Sequence, residues 1–124
     1  MKSYTDLEQS KKLAEILPIK SADMYYCYGM DIHTKGWSFD DTPTIINNSN
    51  HIDVHADIPC WSLASLLCRL PFPVLYMEMV AGMILWCCEC HFIETDEVIK
   101  IEHCDNPIDA CYDMILKLHE LNLL

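Results

Sequence analysis

The chain has 124 residues, is 52% hydrophobic, and sets 19 carboxylates against 8 lysines and arginines. That length and apolar fraction fit a single domain, 1–124, able to bury a core. The net charge of −11 argues against direct binding to nucleic-acid phosphates or anionic lipid, and favours a cationic partner or none.

The N-terminal segment 1–17 has no apolar core behind a basic start, so a cytoplasmic location is expected. In that compartment the 8 cysteines stay reduced. Thr5 with Glu8 is read as a capping box and Glu8 with Lys12 as a favourable pair. Both belong to a first helix over 4–17, stopped by Pro18, with Leu13, Ile16 and Leu17 facing inward. Residues 24–32 are rich in tyrosine and apolar groups and predict a strand; Thr34-Lys35-Gly36 then turns the chain into Trp37-Ser38-Phe39. From 40 to 57 the composition shifts to Asp, Asn, Thr, Ser and Pro, which favours turns. Asp57 and Pro59 predict the start of a helix over 58–70, which Pro71-Phe72-Pro73 ends.

Segments 74–80 and 83–92 have strand composition, and Ala81-Gly82 suits a tight connection because glycine accepts a positive φ. A turn at 94–97 leads into a third strand, 98–103. Alternation puts Leu75, Met77, Met79, Ile84, Trp86, Cys88, Cys90, Phe92, Ile99 and Ile101 on one face of this meander. The other face then carries Tyr76, Glu78, Glu89, His91, Lys100 and Glu102, with Val74, Leu85 and Cys87; a half-apolar face of this kind often marks contact with another chain. Although 74–92 is nearly apolar, Glu78, Gly82 and Glu89 interrupt it, so no membrane span is expected.

The last twenty residues carry the fullest set of local signals. Asn106 can cap a helix, Pro107 suits its first turn, and Asp109 can reach back to the cap. Ile108, Cys111, Tyr112, Ile115, Leu118 and Asn122 recur at spacings of three and four, opposite Asp109, Asp113, Lys117 and Glu120. The expected fold is α+β: a small antiparallel sheet, a three-stranded meander that 24–32 could join as a fourth strand, with about three helices packed on one face.

Several stretches together resemble a group of small uncharacterised proteins of gut bacteria and the prophages and mobile elements they carry. They are the string from Tyr4 to Pro18, then Ser21-Ala22-Asp23-Met24, Ile58-Pro59-Cys60-Trp61-Ser62-Leu63, and Asn106-Pro107-Ile108-Asp109-Ala110-Cys111. The resemblance implies a cytoplasmic accessory protein of a mobile element. It brings no activity, ligand or catalytic residue, and it implies that members differ over 32–55 and around Gly82.

His51-x-Asp53-x-His55, if extended, puts two imidazoles and a carboxylate on one side, donors suited to a divalent transition metal; in a polar loop the same residues serve solubility and capping. Cys87-Cys88-Glu89-Cys90-His91 with His103-Cys104 gathers zinc-type donors, but on a strand Cys88 and Cys90 point away from Cys87 and His91. Buried apolar cysteine is the preferred reading, above all for Cys27, Cys60, Cys68, Cys88 and Cys111. A nucleophile could be imagined in Cys27 or Cys104 beside His33 or His103, yet no nucleophile elbow accompanies them. Gly29, Gly36 and Gly82 stand alone, so neither a P-loop nor a dinucleotide fingerprint can be built, and Arg69 is the sole arginine.

An aromatic cluster, Tyr25, Tyr26, Tyr28, Trp37 and Phe39, remains, with core packing and partner anchoring as its two readings. Candidate binding residues are Tyr26, Tyr28 and Trp37, together with Tyr76, Glu89 and His91 from the mixed face of the meander. The leading expectation is a non-enzymatic protein that binds or inhibits a host partner, protein or small molecule, through an acidic, aromatic surface, with no cofactor. A small metal-binding protein using His51, Asp53 and His55 is one alternative; a structural homo-oligomer is another.

Overall fold

Helix α3 (Pro107–Glu120) forms where cap, proline and apolar period coincide. In the computed structural model, which describes all 124 residues, the Asp109 N–H donates to Asn106 Oδ1 at 2.9 Å. The Asn106 side-chain amide in turn donates to Asp109 Oδ2 at 2.9 Å, so the two residues close the first turn reciprocally. The inward stripe is Ile108, Cys111, Met114, Ile115 and Leu118, all fully buried. Each such aliphatic side chain is worth about 1.5–3 kcal/mol of transfer free energy. Tyr112 is half-buried and Asn122 lies outside, because the helix ends at Glu120 and Asn122 turns at φ 58°.

The protein is α+β and divides into two compact units. The first comprises Met1–Tyr4 and Leu63–Leu124. It holds the antiparallel meander β6 (Pro73–Val80), β7 (Met83–Phe92) and β8 (Glu97–Cys104). Helix α3 packs on β7 and β8, and α2 (Leu63–Arg69) packs on α3. Lys2 ties the first residues to this unit through Asp109, 3.0 Å away. The register pairs Leu75 with Cys88, Met77 with Trp86 and Cys90 with Ile99, so the alternation expected from the sequence sets the two faces. Ala81 and Gly82 take φ 50° and 81°, the two positive values a two-residue hairpin turn requires. Opposite Cys87 the ladder admits one extra residue: Trp86 pairs with Cys104 but Cys88 with Ile101, and His103 takes φ 63° at this bulge. Leu85 and Cys87, expected to be displayed, are buried; they lie directly opposite the larger Glu78 and Tyr76. Met77, Met79, Met83 and Ile84 at the hairpin tip are exposed.

The second unit, Thr5–Ser62, holds α1 (Leu7–Ala14), a 3-10 turn at Ile19–Ser21 and two small sheets. One sheet has the order β4 (Thr44–Ile45), β1 (Met24–Tyr26), β5 (Ile58–Cys60); the other pairs β2 (Tyr28–Met30) with β3 (Trp37–Phe39). Residues 24–32 therefore supply two strands, in two sheets, rather than a fourth strand of the meander. Helix α1 packs on β5 within this second unit, so the first unit holds two of the three helices.

Two expectations about helix starts give way to long-range bonding. Asp6, not Thr5, caps α1: its carboxylate accepts the Gln9 N–H at 2.8 Å, and Gln9 Oε1 accepts the Asp6 N–H at 3.2 Å. Thr5 is fully buried and used elsewhere: its N–H donates to the Trp61 carbonyl at 3.0 Å and its Oγ1 accepts the Trp61 N–H at 3.2 Å. Glu8 pairs with Lys11 at 3.7 Å, and Lys12 with Glu15 at 3.5 Å. Of the expected inward residues of the first helix, Leu13 and Leu17 are buried and Ile16 is half-buried. Residues 58–60 form strand β5, with Pro59 opposite Tyr25 on an edge where its missing N–H is tolerated. The helix begins only at Leu63, after Ser62 has given its N–H to Asp23 Oδ1 at 2.9 Å and its hydroxyl to Asp23 Oδ2. No helix is long and apolar enough to cross a membrane.

Candidate functional site

The second unit concentrates exposed aromatic surface on the ribbon β2–β3. The chain leaves β1 at Cys27, whose carbonyl accepts the Asp40 N–H at 3.0 Å. The Tyr28 N–H is taken by Asp57 Oδ1 at 3.1 Å, which starts a new strand one residue later. Register then pairs Tyr28 with Phe39 and Met30 with Trp37, placing all four side chains on one face. Tyr28 lies 5.8 Å from the Trp37 ring and 4.9 Å from the Phe39 ring, tilted 31° and 51°, within the range of stabilising aromatic pairs. Trp37 stays 62% exposed and Tyr28 40%.

The far end of the ribbon is closed by Asp31 and Gly36: the Asp31 N–H donates to the Gly36 carbonyl at 2.8 Å, with Lys35 at φ 55°. A concavity of about 370 Å³ lies here, lined by residues 29–33 and 38–41 with Asp31, Asp40 and Asp41 among them. One cation of the chain already uses this surface, since Lys11 Nζ sits 5.7 Å from the centre of the Phe39 ring. Of the three rings Phe39 lines the concavity with these carboxylates, and it is there that an apolar body carrying positive charge can meet both.

Tyr26, read from the sequence with Tyr28 and Trp37, does not belong to this surface. It is only 3% exposed, and its hydroxyl donates to the Thr5 carbonyl at 2.8 Å; Tyr25 is buried too. Both lie on β1, in the other sheet, and serve packing.

Tyr76, Glu89 and His91 do meet, on the meander face away from α3. The Tyr76 hydroxyl donates to Glu89 Oε1 at 3.0 Å, His91 Nε2 lies 3.2 Å from Oε2, and Lys100 Nζ is 3.3 Å from Oε1. On the same face His103 Nε2 pairs with Glu78 Oε2 at 3.2 Å. The Tyr76 hydroxyl, then Lys100 and His91, hold the Glu89 carboxyl below its ordinary range, and the same hydrogen bond pushes the tyrosine up. Such a carboxylate is a weakened base, and such a phenol keeps its proton. The cluster's chemistry is cross-strand bonding.

His51, Asp53 and His55 are not aligned along an extended segment. The chain turns at Asp53: its carbonyl accepts the Asp57 N–H at 2.8 Å, its Oδ1 accepts the His55 N–H at 3.0 Å, and its own N–H goes to Asp57 Oδ2 at 2.9 Å. No group of three or more His, Cys, Asp or Glu side chains is gathered as a metal ion would need, here or around the cysteines.

All eight thiols are free. Cys60, Cys87, Cys88, Cys90 and Cys111 are buried, as expected for three of them, whereas Cys27 is half-buried and Cys68 exposed. In the first unit Cys90 and Cys111 both share hydrogen bonds with Cys88, and this contact, with burial, pushes their own thiols up. The two imagined nucleophiles are also held protonated. Burial raises Cys27, and burial with Asp113 pushes Cys104 up to about 11. Cys104 Sγ donates to Asp113 Oδ2 at 3.7 Å, while neighbouring His103 bonds Glu78. Thiols that keep their protons are poor nucleophiles.

Sequence reasoning missed Asp57 and Lys11 as parts of the ribbon. In sequence Asp57 looks like a helix start, and the antiparallel path of the chain brings it to Tyr28. No family model, no curated protein and no solved structure matches this chain.

Proposed function

We propose that this protein is a non-enzymatic binding protein that captures a cationic host protein on the ribbon β2–β3, in keeping with the mobile-element accessory role its sequence resemblance implies. The observation that carries this reading is Trp37, 62% exposed and braced by Tyr28, with Phe39 completing the set of rings. Large rings held ready on a rigid strand lose little entropy on docking, which is why Trp and Tyr dominate binding hot spots. Asp31, Asp40 and Asp41 line the adjoining concavity together with Phe39 and, within a chain of net charge −11, favour a positively charged partner.

The test is photo-cross-linking in host cells with p-benzoylphenylalanine placed at position 37 and, as a control, at position 45 on β4, where Ile45 is equally exposed but lies in the other sheet. A discrete cross-linked host protein at 37, absent at 45 and lost when Asp31, Asp40 and Asp41 are changed to asparagine, is the expected outcome. Identical products at both positions, or none at 37, refute the assignment.

A further inference from the structure

We infer that the first unit carries a separate docking groove for a peptide segment that presents an apolar side chain beside lysine or arginine. The groove shares no residue with the ribbon, so it does not rest on the reading above. It begins from Pro71-Phe72-Pro73, where two prolines leave the intervening residue little choice of backbone. Phe72 takes φ 42°, a strained value for an aromatic residue, and its ring is 64% exposed. The ring is displayed without being part of any buried core.

Beside it the β7–β8 turn lifts Ile93, 72% exposed, and Asp96 takes φ 59°. Phe72, Phe92, Ile93 and Leu123 line a groove of about 590 Å³, within the size range of ligand sites. Its titratable lining is Glu94, Glu97 and His91; no lysine or arginine takes part. Charge settles the kind of occupant. An apolar slot edged by two carboxylates rewards an apolar side chain flanked by cations. A second copy of a chain with net charge −11 would bring repulsion instead.

The probes are two blocked peptides, Arg-Leu-Lys-Leu-Arg and its counterpart Glu-Leu-Glu-Leu-Glu, titrated into the full chain with amide and methyl NMR as the readout. The cationic peptide is expected to shift Phe72, Phe92, Ile93, Glu94 and Leu123, with affinity about tenfold or more above the acidic one. The Glu94→Gln/Glu97→Gln double variant should lose about three- to tenfold of the cationic peptide's affinity. Phe72→Gly, which relieves the backbone, should abolish the shifts while leaving the fold intact. Trp37→Ala should leave them unchanged, which separates this groove from the ribbon. Equal response to both peptides, shifts confined to other acidic surfaces, no shifts at millimolar peptide, or concentration-dependent shifts of the same residues without peptide would overturn the inference.

Discussion

Strands β1 and β2 are separated by one residue, Cys27, and they use tyrosine in opposite ways. On β1, Tyr26 is enclosed and its hydroxyl is bound to the Thr5 carbonyl; on β2, Tyr28 lies partly in solvent and braces Trp37. The first unit repeats the contrast, with Tyr76 bonded across the sheet to Glu89 and Phe72 displayed on a strained backbone. A ring whose hydroxyl has a protein partner contributes to the fold. A ring that is exposed, and either stacked or strained, contributes nothing comparable there and is free to act on something else.

The sharpest break of that contrast is Tyr26→Ala. Removing a buried aromatic side chain should cost about 3–5 kcal/mol, seen as a large drop in the urea midpoint. Tyr26→Phe, which deletes only the hydroxyl bonded to Thr5, should cost about 1–1.5 kcal/mol in the same assay. Trp37→Ala is the counterpart: stability should fall by no more than about 1.5 kcal/mol, the worth of its pair with Tyr28, whereas the host partner captured at position 37 should bind about 2 kcal/mol more weakly by calorimetry. A Trp37→Ala protein as destabilised as Tyr26→Ala would erase the distinction.

Smaller effects sharpen it within the first unit. Phe72→Gly should raise stability by about 1 kcal/mol in thermal denaturation, because glycine accepts the positive φ and little burial is lost. Glu89→Gln tests the bonded side through pH. The folded carboxyl titrates below its ordinary range, so its contribution is present above that range and disappears as pH falls through the lowered value. The stability gap between wild type and Glu89→Gln should therefore hold at neutral pH, begin to narrow only below the ordinary glutamate range, and close as pH falls through the lowered value. A gap that persists at low pH would mean the carboxylate's charge is not what Tyr76, His91 and Lys100 recognise.

Legibility followed the range of the interactions. Helix α3 was readable because Asn106, Pro107 and Asp109 act on one another within a single turn and the apolar period runs uninterrupted to Leu118. The meander faces were readable because alternation is local and Ala81-Gly82 sets the hairpin. What escaped was decided by distant partners. Thr5 looks like a helix cap until Trp61 claims it, and Pro59 looks like a helix start until β1 offers an edge. Tyr25, Tyr26 and Tyr28 form one aromatic run in sequence, and it divides between interior and surface where Asp40 bonds Cys27 and Asp57, twenty-nine positions beyond Tyr28, takes the Tyr28 N–H. The same carboxylate, taking the Asp53 N–H, bends the His51-x-Asp53-x-His55 segment out of the extended form in which its side chains would align.

The most direct measurement is a calorimetric titration of the partner cross-linked at position 37 into wild-type protein and Trp37→Ala, each at low and high salt. Wild type should bind with an affinity that falls as salt rises, and Trp37→Ala should bind about thirtyfold more weakly at both. Equal affinity of the two proteins, or binding indifferent to salt, would contradict a cation-selecting aromatic ribbon.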